Sequence, residues 1–89
     1  MKGKRLAPVL AGLFDIQEEA LSGAPRIIIS GSSRVMIEGH RGLLEYSRER
    51  IAAAGANCRV LVRGEELGLL AMDGRTLVIT GRLWAVELE

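Results

Sequence analysis

Residues 58–89 read CRVLVRGEELGLLAMDGRTLVITGRLWAVELE, and their pattern decides the fold class. Cys58, Val60 and Val62 alternate with Arg59, Leu61 and Arg63, the two-residue period of a β-strand whose successive side chains point to opposite faces. Leu77 and Ile79 oppose Thr76, Val78 and Thr80 in the same way. Asp73-Gly74 lies between two apolar runs and reads as a hairpin turn, because type I′ turns need positive φ at both central positions. Each triplet, Val60-Leu61-Val62 and Leu77-Val78-Ile79, is followed by one spacer and a glycine (Gly64, Gly81), which reads as a short strand ended by a turn. Glu65-Glu66 is then assigned to that turn. The faces are mixed, as expected of a sheet covered on one side and partly covered on the other.

The same unit recurs toward the N-terminus. Ile27-Ile28-Ile29-Ser30-Gly31 repeats the triplet, spacer and glycine, and Leu43-Leu44-Glu45-Tyr46 takes the equivalent place with Ser47 for the glycine. Cutting at Arg26, Arg41, Cys58 and Arg75 gives segments of 15, 17, 17 and 15 residues. That spacing suits two strands of about five or six residues with their turns and is too short for a helical hairpin. The stretch Arg48–Ala54 ending at Gly55 breaks the pattern and fits either a helical turn or an irregular strand. The expectation for residues 25–89 is a mainly β body, a compact antiparallel meander, sandwich or roll of about six to eight short strands. A small β-solenoid with one coil per segment and an Sm-like barrel are the alternatives.

Residues 1–24 have a different texture. Leu6, Val9, Leu10 and Leu13 follow helical spacing, Phe14 extends the face, and Asp15 with Glu18 can cap a second short segment. Gly23 and Pro25 end it. The expected role of this helix is a lid on the sheet, with an anionic lipid surface as the rival partner for its basic, apolar face. Lys2, Lys4 and Arg5 before an apolar run resemble a secretory leader, but Pro8 and Gly12 interrupt the run and Asp15 follows at once. The run is also too short to span a bilayer, which takes about 20 apolar residues.

Composition excludes more than it identifies. The chain has 89 residues, enough for one domain. One His and one Cys cannot build a zinc cage or a disulfide, and a lone thiol fits a reducing cytoplasm. Three aromatics (Phe14, Tyr46, Trp84) are too few for a base-stacking platform. Twelve Lys and Arg against 11 Asp and Glu create no global field for nucleic acid. No cofactor or metal is expected.

Candidate chemistry is correspondingly thin. His40 and Cys58 are the only pair able to form a Cys/His nucleophile, yet Cys58 lies on the apolar Val60/Val62 face and His40 in the turn Glu38-Gly39-His40-Arg41-Gly42. Neither Gly39-x-x-Gly42 nor Gly31-Ser32-Ser33 is followed by the Gly-Lys-Ser/Thr of a phosphate loop. Arg26, Arg34, Arg41, Arg59, Arg63, Arg75 and Arg82 mostly open or flank strands among acids, which reads as solvated, aggregation-resistant edges. An enzyme is not expected.

The chain resembles the YabP/YqfC family of small sporulation proteins of endospore-forming bacteria, and its YqfC branch most. The likeness runs over nearly the whole chain, from the N-terminal segment and Phe14-Asp15-Ile16 through Ala24-Pro25-Arg26-Ile27 to the stretches 60–67 and 77–83. It is most specific at Ile37–Tyr46, which resembles an acidic-x-His-basic-Gly turn followed by an apolar strand. Gly39 stands where the family's turn has asparagine, a residue that also tolerates left-handed backbone. The resemblance implies a non-enzymatic protein of the mother-cell cytoplasm or the forespore membrane periphery. It further implies contacts with other sporulation proteins or further copies of itself in coat or envelope assembly. The expected contact residues are Glu38, His40, Arg41 and Gly42 in the turn and Leu10, Leu13 and Phe14 on the helix. A small-barrel nucleic-acid module is the rival reading.

Overall fold

A computed structural model describes residues 24–89, so the expected N-terminal helix lies outside the described residues. The body is all β. Six strands follow in order: β1 (Arg26–Ser30), β2 (Arg34–Glu38), β3 (Leu43–Tyr46), β4 (Arg50–Ala54), β5 (Arg59–Met72) and β6 (Thr76–Leu88). They form one antiparallel sheet in the order β1-β2-β6-β5-β4-β3.

The Asp73-Gly74 turn joins β5 to β6 as expected, with Met72 opposite Leu77. Asp73 organises it: one carboxylate oxygen accepts the amides of Arg75 at 2.8 Å and Thr76 at 2.6 Å, an Asx turn. The strands it joins are 14 and 13 residues long, not the short ones expected. Gly64 and Gly81 do not end strands; they bend them. Arg63 pairs with Ala85 and Gly64 with Leu83, and the register slips again between Glu65 and Gly68. Such bulges kink a strand and increase its twist.

Both glycines are required there. A Cβ at Gly64 would lie 2.0 Å from the carbonyl oxygen of Arg82. At Gly81, φ is +139° and a Cβ would meet the Glu66 oxygen at 2.7 Å. Glu66, expected in a turn, sits inside β5 at the bend with φ of 52°.

The bend folds the long hairpin in half, and each half carries a smaller hairpin. Near the tip, β2 pairs with β6 (Ile37 opposite Leu77, Val35 opposite Ile79) and carries β1 outside it. Near the root, β4 pairs with β5 (Ile51 opposite Val62, Ala53 opposite Val60) and carries β3. The inward residues of both halves share one core: Val35 and Ile37, Ile51 and Ala53, Val60, Val62 and Leu67, Leu77 and Ile79. A sheet folded on itself in this way is a roll. Neighbouring strands run antiparallel throughout, which excludes one parallel coil per segment, and the sheet is open, with β1 and β3 as its edges, so it is not a closed barrel.

The turns of the smaller hairpins brace the bend. Gly64 N–H donates to Glu49 O at 3.1 Å and Leu67 N–H to Arg48 O at 2.8 Å from the β3–β4 side. Gly81 N–H donates to Ser33 O at 3.2 Å and Leu83 N–H to Ser32 O at 2.9 Å from the β1–β2 side. Of the Arg48–Ala54 stretch, Arg50–Ala54 resolves as strand rather than helical turn. Three of its apolar residues, Ile51, Ala52 and Ala53, are buried, and pairing against β5 outweighs their helix propensity.

Candidate interaction surface and the histidine turn

The connection from β2 to β3, Gly39-His40-Arg41-Gly42, crosses from one half of the roll to the other. Positive φ at Gly39 (86°) and Gly42 (130°) makes the crossing this short. Gly39 and His40 direct their amides at Arg75 O, at 2.7 and 3.3 Å, on the hairpin tip. Arg41 N–H donates to Ala54 O at 2.8 Å, and Gly42 O accepts Ala54 N–H at 2.9 Å. Ala54 is paired with Arg59 at the root of β5. Four consecutive residues therefore hold the tip and the root side of the folded hairpin together.

His40 completes that clasp. It is 5% exposed, the one buried polar residue among those described. Its Nδ1 accepts the Gly42 amide at 3.0 Å, and its Nε2 lies 2.9 Å from Asp73 O. A backbone amide can only donate, so Nδ1 carries no proton and Nε2–H is the donor to Asp73 O. Both ring nitrogens are thus used by the fold. The imidazole has no free nitrogen to offer Cys58, and Cys58 lies before β5 begins, half-buried beside Gly55 rather than on the strand face.

The turn brings Glu38, His40, Arg41 and Gly42 together, but with different aspects. His40 points inward and Gly42 serves through its backbone. Glu38 is half-buried, 3.8 Å from Arg26 on the neighbouring strand, and Arg41 is exposed. Leu10, Leu13 and Phe14 lie outside the described residues. A Cβ at Gly39 would find only ordinary contacts, Pro25 Cα at 3.7 Å and Ala24 O at 3.8 Å, but the φ of +86° is one that side-chain-bearing residues rarely adopt.

Two features of the surface were not visible in the sequence. The partner of His40 is the backbone of a residue 33 positions away, which no local pattern signals. The other is the large apolar side chains left in solvent. Leu70 is passed over where the register slips between Leu69 and Ala71, and Trp84 where Leu83 and Ala85 pair with Gly64 and Arg63; they are 59% and 62% exposed.

Charge on the outer faces is arranged in pairs. Arg50 meets Glu45 at 2.9 Å, Arg82 meets Glu65 at 2.8 Å, Arg63 lies 3.7 Å from Glu87, and Arg59 pairs with Glu89. The hydrogen bond and charge of Glu45 raise Arg50 further above its usual range. The amides of Arg75 and Thr76 hold the Asp73 carboxyl below the usual carboxylate range. No group of three or more His, Cys, Asp or Glu able to hold a metal occurs among the described residues. Nor, among them, is any helix long and apolar enough to cross a membrane.

Compared with known proteins, residues 22–89 match the model of the YabP family. No curated protein and no solved structure matches.

Proposed function

Because the chain belongs to the YabP family, we propose that it works in endospore formation as a non-enzymatic protein of the mother cell. It acts through contacts with other proteins of spore coat or envelope assembly. The observation that carries this reading beyond the family is the exposure of Leu70 and Trp84 at the two register slips of the β5–β6 hairpin. Bulges re-aim side chains and recur at functional positions. Large aromatic side chains with exposed area are also the usual anchors of protein interfaces. The arginines support the same reading over a nucleic-acid surface. Arg26, Arg50, Arg59, Arg63 and Arg82 each face a glutamate, so their charge is already answered within the sheet.

The test is genetic. In an endospore former that carries this chain, removing its gene is expected to lower the count of heat-resistant spores. Wild-type chain restores it, and a folded Leu70→Ser/Trp84→Ser variant does not. Unchanged spore number, heat resistance and envelope composition after removal would sink the proposal. Full restoration by the double variant would discard this surface.

A further inference from the structure

The two edges of the sheet are built differently. β3 carries the protections that edge strands use against pairing: a register slip between Leu43 and Glu45, and a charged residue, Glu45, in mid-strand. β1 has none. It reads Arg26-Ile27-Ile28-Ile29-Ser30, pairs regularly with β2 along its length, and has no neighbour on its other side among the described residues. Ile28 and Ile29 are 37% and 53% exposed. Cross-strand register continues Ile28 into Met36, Val78 and Ala71, an apolar row across four strands on the face opposite Ile37 and Leu77, with Val78 buried along it.

We propose that β1 is a self-association edge, pairing antiparallel with β1 of a second copy about a two-fold axis at Ile28. The occupant follows from the edge's own sequence. An isologous interface must be self-complementary. This register sets Ile28 against Ile28 of the second copy, Ile27 against its Ile29, and Arg26 against its Ser30. Every central pair is β-branched on β-branched, which stabilises cross-strand contacts, and no like charges stand directly opposite. Arg26 keeps Glu38 as its partner at 3.8 Å. The apolar row then runs unbroken across both copies. Arg26 of one copy and Arg34 of the other lie two strands apart, about 10 Å, close to one Debye length at moderate salt. Added salt therefore strengthens the dimer. The seam is only five residues long, so the affinity is modest, in the micromolar range or weaker. The pairing stands on edge geometry alone, and a monomeric protein would leave the sporulation reading in place.

Disulfide trapping of the full chain in a Cys58→Ser background tests the register. With Ile28→Cys, the two Cα atoms across the axis are about 5 Å apart, within bridging range. With Ile29→Cys they are about 8 Å apart, beyond it. Ile28→Cys should form a disulfide-linked dimer under mild oxidation and Ile29→Cys should not, although Ile29 is the more exposed residue. Sedimentation of the unmodified chain should show a monomer–dimer equilibrium shifted toward dimer by salt. Ile28→Lys should weaken that equilibrium about tenfold or more, and Leu44→Lys on the β3 edge should not. The proposal is overturned if Ile29→Cys cross-links as readily as Ile28→Cys. It is equally overturned by a monomer at every salt and concentration, or by a dimer sensitive to Leu44→Lys alone.

Discussion

Replacing Gly64 by alanine adds one methyl group, and the bend decides what it costs. The new Cβ would stand 2.0 Å from Arg82 O and 3.0 Å from Leu67 Cδ2. A carbonyl oxygen in a paired strand cannot swing aside like a side chain, so β5 and β6 must separate locally by more than an ångström. Forced overpacking costs about 1–3 kcal/mol. Moving Gly64 also strains its amide bond to Glu49 O, worth about 1 kcal/mol. Together they predict a loss of about 2–4 kcal/mol, a large share of the stability of a small domain.

Gly68→Ala is the matched control. Gly68 lies on the same strand, a Cβ there meets nothing within 4 Å, and alanine is the better residue wherever the backbone allows it. Urea titration followed by circular dichroism measures both. Gly64→Ala should lower the melting temperature by about 10–25 °C or leave the chain unfolded at 37 °C, and Gly68→Ala should stay within about 1 kcal/mol of wild type. If the two variants lose equal stability, or Gly64→Ala loses less than about 1 kcal/mol, the bend does not depend on close backbone approach and the reasoning fails.

Two further outcomes follow from the clasp. His40→Ala leaves Asp73 O and the Gly42 amide without their partner and should cost about 1–3 kcal/mol in urea titration. Hydrogen exchange should rise first at Gly42 and in the Asp73–Thr76 turn, and uniform exchange across the chain would count against a local clasp. Asp73 carries a pH dependence. Its folded pKa is depressed, so its stabilisation is present above the unfolded value of about 4 and is lost as pH falls through the lower folded value. Melting curves of wild type and Asp73→Asn should differ at pH 7 and begin to converge only as pH falls below about 4; a constant difference would reject the assignment.

The sequence by itself determined that residues 25–89 form strands, which residues turn inward, and where the main hairpin reverses. Leu77 and Ile79 are buried as their alternation requires, Val78 on the opposing face is buried as well, and Asp73-Gly74 sits at the tip. These are local properties: side-chain period, turn chemistry and pleat act within a few residues. The family likeness rested on the same information, order and spacing along the chain, and the match over residues 22–89 bears it out for the family as a whole. What a glycine after an apolar triplet does is not local. Gly31 closes a turn, whereas Gly64 and Gly81 carry strands through a bend, and the three share one sequence context. The difference lies in what stands across from them: Arg82 O and Glu66 O, brought there by pairing over many residues. The same holds for His40, which reads as a surface turn residue until the tip of a hairpin 33 positions away folds onto it. Only the tertiary structure decided these points, because backbone contacts between distant segments leave no mark on either segment alone.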